Sequence, residues 1–128
     1  MSEQNVEVVR RIYAAWSDGF AGLLDSEVEW VNPPDAVEAG THTGVEAFAA
    51  AASSVTETFA GSHVEFNEFI DSGDRVVVLG TMRGRGRVSG VEFERAMGYL
   101  WTIRDGKAIR FEWFSEPGRA LEAAGLRE

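Results

Sequence analysis

The sequence predicts an α+β domain, and three observations lead to that class. Apolar residues near the start recur at helical spacing, the period changes to two from His63 onward, and a proline-initiated helical segment closes the chain. With 128 residues and 45% hydrophobic composition, the chain is long enough for a single domain over residues 1–128 with its own core.

Each element follows in order. Val6, Val9, Tyr13, Trp16 and Phe20 are three or four apart, so residues 3–18 read as an amphipathic helix ending near Gly19. Residues 28–32 read as a short strand, stopped by Pro33 and Pro34. "TGVE" at Thr43–Glu46 has the form of a capping box and opens a second, alanine-rich helix through about Phe59. Strands are then expected at 63–71, 74–87, 91–104 and 107–115, divided by "SGD", "VSGV" and "RDGK". "EPGRALEAAGL" is a short helix that starts at proline and stops at Gly125.

Turn length sets which side chains share a face. A two-residue turn at Ser89-Gly90 places Arg87 opposite Glu92, Arg85 opposite Glu94 and Met82 opposite Met97. In the last hairpin, a three-residue loop with left-handed Gly106 pairs Tyr99 with Phe111 and Met97 with Trp113. A two-residue loop would set Tyr99 against Glu112, and we prefer the loop that keeps the aromatics together. One sheet face then carries Val78, Met82, Phe93, Arg95, Met97, Tyr99, Trp101, Phe111 and Trp113, and is expected to meet the helices. The other face, with Leu79, Thr81, Arg83, Leu100, Arg110, Glu112 and Phe114, is mixed enough to serve as a partner surface.

Composition excludes several functions. There are no cysteines, so disulfides and thiolate metal sites are ruled out, and two separated histidines, His42 and His63, do not suggest zinc. A net charge of −9 disfavours nucleic acid as a partner. Neither a membrane-length apolar run nor a basic-then-apolar leader is evident, so a cytoplasmic location is the expectation.

The segments "LLDSEVEWVNPP", "THTGVEAF", "GDRVVVLGTMRGRGRVSGVEFE", "LWTIRDGKAIRFEWF" and "ALEAAGL", in this order, resemble the SnoaL-like, ketosteroid isomerase-related branch of the NTF2-like superfamily. The resemblance covers nearly the whole chain. It implies a cone-shaped, curved antiparallel or mixed sheet wrapped over helices and enclosing a pocket. It also implies a homodimer through the outer sheet face, and chemistry without a cofactor or metal. Function does not follow from fold, because the superfamily spans isomerases, epoxide hydrolases, cyclases and non-catalytic modules.

Matching the residues position by position weakens the known chemistries. Ketosteroid isomerases place a carboxylate base before a proline at the end of the first strand, where this chain has Asn32. The helix-one phenol falls on Ile12, beside Tyr13, and the late-strand acid on Tyr99. Epoxide hydrolases of this fold would match Asn32, but their tyrosine position holds Trp30. Their water-activating carboxylate becomes Trp113, and their arginine and its partner become Gly80 and Met82. A cyclase-type acid or base could come from Asp35 or Glu38 in the loop after the prolines. His42 is a further candidate base, set against the plainer role of a turn histidine.

"RGRGR" reads as a charge-balanced sheet edge rather than a phosphate site. Arg95 shares the inward face; it snorkels to the rim, meets an anionic ligand, or pairs with Asp35 or Glu38. Tyr13, Trp30, Asn32, Met82, Arg95, Met97, Tyr99 and Trp113 are the expected pocket residues. Two functions stand. One is a protein, enzymatic or not, that takes a small apolar molecule (aromatic, steroid-, terpenoid- or polyketide-like) into the cone. The other is a non-catalytic module whose cone is filled by its own side chains.

Overall fold

The computed structural model describes residues 2–16, 18–34, 40–58, 62–85 and 89–126. In chain order the elements are α1 (Ser2–Ala14), a turn at Gly19–Gly22, β1 (Leu24–Asn32), β2 (Gly40–Thr43) and α2 (Val45–Thr58). Then come β3 (His63–Ser72), β4 (Arg75–Arg85), β5 (Glu92–Arg104), β6 (Lys107–Phe114) and α3 (Pro117–Ala123). Six strands form one sheet in the order β2-β1-β6-β5-β4-β3. Only β1 and β6 run parallel; the other neighbours are antiparallel, so the sheet is mixed and unclosed.

The inward face and the first two helices bury a single aromatic-rich core. Val9 and Ile12 of α1, Phe48 of α2, Val76 and Val78 of β4, and Trp101 of β5 are all fully buried. Trp16 supplies the hub of that core, with ring contacts to Phe20, Trp30, Phe48, Trp101 and Phe111 at 5.1–6.4 Å between centroids. Pairs at these distances and tilts add attraction beyond their buried area.

α3 lies on the opposite face. Ala120 packs with Val77 and Leu100 there, flanked by Ile70, Leu79 and Phe114. The close approach depends on Gly98, where a Cβ would stand 2.9 Å from both the Ala120 Cβ and the Pro117 Cα. The outer face is therefore partly covered by the chain itself.

Several local expectations are corrected. α1 ends at Ala14 rather than 18, because Gly19, Phe20, Ala21 and Gly22 all adopt positive φ and turn the chain left-handed. β1 starts at Leu24, four residues before the expected 28. β2 is an additional strand that pairs with β1. Thr43 lies within β2, opposite Glu29, and Gly44 precedes the first helical residue, so "TGVE" sits one residue too early to form the expected capping box.

The β4–β5 register is Arg85 opposite Glu92, Arg83 opposite Glu94 and Met82 opposite Arg95, two residues away from a Ser89-Gly90 turn. A shift of two leaves every side chain on its expected face. The expected Arg87 pairing lies outside the described residues. In the last hairpin Arg104 pairs with Lys107 across a two-residue turn, Asp105-Gly106, with φ of 53° and 77°. That is the primed turn that matches strand twist. A bulge beyond Ile103 then moves the register, so that Tyr99 faces Trp113 and Trp101 faces Phe111. The aromatics do meet, through a bulge rather than through a three-residue loop.

Candidate binding site

Asn32 ends β1 and organises the site around it. Its Oδ1 accepts two indole hydrogen bonds, from Trp30 Nε1 at 2.8 Å and Trp113 Nε1 at 2.6 Å. Both arrive because Trp30 is two residues back on the same strand face, while parallel pairing sets Val31 opposite Glu112 and brings Trp113 alongside. A carbonyl oxygen has two lone pairs, and here both are engaged. The amide oxygen thus fixes two tryptophan rings.

Two phenols share the interior. Tyr13 Oη accepts a hydrogen bond from Trp101 Nε1 at 3.0 Å, and the Tyr13 ring lies 4.2 Å from that of Phe66. Tyr99 stacks on Phe111 at 5.9 Å. Burial pushes the Tyr13 pKa well above 10, and the neighbouring Tyr99 phenol adds to that shift. Burial raises Tyr99 to about 12. Both hydroxyls stay protonated at neutral pH and act as donors rather than bases.

Accessibility changes along the inward face. Val76, Val78 and Trp101 are sealed, whereas Met82 and Met97 are 7% and Tyr99 9% accessible. Phe93 and Trp113 are half-buried, Phe66 is 38% accessible and Arg95 is exposed. The same face is thus plugged at one end by Trp101 and opens to solvent at the other. A bulge in β3 between Phe66 and Glu68 brings that strand across Gly80, where a Cβ would stand 2.9 Å from the Glu65 carbonyl oxygen.

The structure joins most of the expected pocket residues. Trp30, Asn32 and Trp113 form the hydrogen-bonded group, Tyr99 stands opposite Trp113, and Met82 stands opposite Arg95. Tyr13 joins through Trp101 and Phe66. His42 is exposed on edge strand β2, opposite Trp30, rather than in a turn. Asp35 and Glu38 lie outside the described residues. Among the described residues no charged side chain is buried, and no group of three or more metal-ligating side chains is assembled. No helix among them is long and apolar enough to cross a membrane.

Phe66 was missed by the sequence reading as a site residue. Its neighbours alternate apolar and polar like any strand, and only the bulge brings it over Tyr13 and edge-on to Tyr99 at 6.4 Å.

A family model described as a SnoaL-like domain matches residues 9–111. The chain belongs to the SnoaL-like domain family. The match extends from α1 through the middle of β6 and so includes Tyr13, Asn32 and Tyr99 of this SnoaL-like protein. No curated protein matches it.

Among solved structures it is similar to TerC co-crystallised with polyporic acid, at 29% identity over 95% of this chain and 98% of that one, with a TM-score of 0.73. It is similar to an NTF2-like protein of unknown function from Burkholderia pseudomallei K96243, at 28% identity over 93% and 95% of the two chains, with a TM-score of 0.74. A SnoaL-like polyketide cyclase from Jannaschia sp. CCS1, so described without proof of activity, shares the fold at 22% identity, covering 99% and 94%, with a TM-score of 0.76. The α+β cone architecture is that of this SnoaL-like, NTF2-like group.

Proposed function

We propose that this SnoaL-like protein binds a small apolar molecule at the open end of its cone, against Met82, Met97, Tyr99 and Trp113. The observation that carries the reading is the graded accessibility of the inward face, from sealed Trp101 through nearly buried Tyr99, Met97 and Met82 to half-buried Phe93 and exposed Arg95. Pockets of this kind combine apolar walls with a few placed polar groups. The Tyr99 hydroxyl, kept protonated by burial, supplies a donor to a ligand carbonyl or hydroxyl, with Tyr13 behind it. TerC, co-crystallised with polyporic acid, supports a small-molecule role by analogy.

Binding is favoured over isomerase-type catalysis. Asn32 replaces the base, its carbonyl oxygen is committed to two indoles, and no described carboxylate is buried to take its place. The homodimer belongs to the same proposal. It would use the Arg83 and Glu94 side of the outer face, since α3 occupies the part around Gly98. Sedimentation at micromolar concentration distinguishes dimer from monomer.

A thermal-shift screen of aromatic polyketides, steroids, terpenoids and polyporic acid, followed by tryptophan-fluorescence titration, tests the pocket. We expect at least one class to bind. Tyr99→Phe should weaken a carbonyl ligand by about fivefold to tenfold, the net worth of one hydrogen bond. Met97→Trp should abolish binding while the fold persists. Absence of any ligand, or binding indifferent to Met97→Trp, favours the filled-cone module instead.

A further inference from the structure

Arg95 is not explained by the pocket alone. Arg83 pairs with Glu65 and Glu94, Arg85 with Glu92, and Arg110 with Glu29 and Glu112. Arg11 and Arg119 each pair with a glutamate on their own helix or its edge, Arg75 donates to the Ala123 carbonyl, and Arg10 lies over the Phe69 ring. Among the described arginines only Arg95 and the hairpin-end Arg104 have side chains with no ion pair, hydrogen bond or ring contact. With 21 acidic residues against 12 basic ones, an arginine side chain with no partner of any kind is the exception.

Its position gives that exception a meaning. Met82, directly opposite, and Met97, two residues on, are both buried on the inward face. Strand alternation therefore sets Arg95 on the same face, at the accessible end. Of the outward arginines of β4, one face away, Arg83 and Arg85 are matched by glutamates and Arg75 by the Ala123 carbonyl. A guanidinium beside an apolar wall attracts an anion more strongly than it would in open water, and its fork fits a carboxylate or enolate pair of oxygens.

We propose that the pocket selects an anionic aromatic ligand, with its acidic group on Arg95, its rings against Met82 and Met97, and its far end at the Tyr99 hydroxyl. This rests on the pocket reading above and adds the charge of the ligand. Arg95 and Tyr99 are four residues apart, about 13 Å of strand. Less the reach of the two side chains, that span suits a body of about two or three rings.

The test uses matched pairs of two- and three-ring aromatic carboxylic acids and their carboxamides, titrated at pH 7 by tryptophan fluorescence. The wild-type protein should bind the acids at least tenfold more tightly than the amides. Arg95→Gln should reduce that preference below twofold, while Arg95→Lys should retain part of it. Amides bound as tightly as acids by the wild type, or a preference surviving Arg95→Gln, overturns the anion assignment and leaves the pocket standing. Binding of neither acids nor amides overturns the pocket reading and this inference with it.

Discussion

Asn32 fixes two tryptophan rings with a single carbonyl oxygen. Two indole N–H groups converge on its Oδ1, so Asn32→Leu leaves two partly buried donors without an acceptor. At about 1–2 kcal/mol for each unsatisfied group, the expected loss is about 2–4 kcal/mol in urea denaturation. Asn32→Asp keeps both acceptors and should stay close to wild-type stability at pH 7. Its carboxyl is expected to titrate away from the solvent value of about 3.9, which NMR can follow; a value there would place Asn32 in bulk-like water.

The phenols give a pH prediction. Tyr99 titrates at about 12 in the fold, against 10 for its ordinary value, and Tyr13 is also raised. Between pH 10 and 12 the unfolded chain releases a proton that folded Tyr99 retains, so stability falls with rising pH in that window and is independent of Tyr99 below it. Two units correspond to about 3 kcal/mol lost by pH 12. Denaturant titrations from pH 8 to 12 should show the decline, and Tyr99→Phe should make it shallower.

Among the elements, the left-handed turn is the least expected. Phe20 and Ala21 have φ of 56° and 59° between two positive-φ glycines, a conformation that costs an L-residue about 1–2 kcal/mol. Phe20 offsets that through burial, with its ring 5.1 Å from Trp16 and 5.4 Å from Phe48. Ala21 is exposed and has no such compensation. Ala21→Gly relieves the strain but adds about 0.5–1 kcal/mol of backbone entropy loss, so a net gain of about 0.5–1 kcal/mol is expected in thermal or urea denaturation. The strands were more legible than this turn. Alternation put Met97, Tyr99, Trp101 and Phe111 on one face although both hairpin registers differ from the expected ones. Four-residue β2, exposed throughout, carries no burial pattern to read, and exists because β1 offers it an edge.

At the scale of the molecule, the sheet has two different faces, and one glycine decides what covers the second. Gly98→Val puts side-chain atoms where Ala120 and Pro117 lie, so α3 must lift or the sheet must shift. A loss of about 1–3 kcal/mol is expected, with faster amide exchange across α3 than across α1. Equal protection of the two helices in the variant would show that α3 is held by other contacts.

By itself the sequence determined the fold class and the inward and outward faces of the sheet, because periodicity, turn glycines and prolines act over a few residues. Only the tertiary structure decided that Asn32 clamps Trp30 and Trp113, that Phe66 covers Tyr13, and that α3 covers the outer face. Those outcomes depend on parallel pairing between β1 and β6, on bulges that move a register, and on a close approach at Gly98. They join residues distant in sequence, and no local pattern records such contacts.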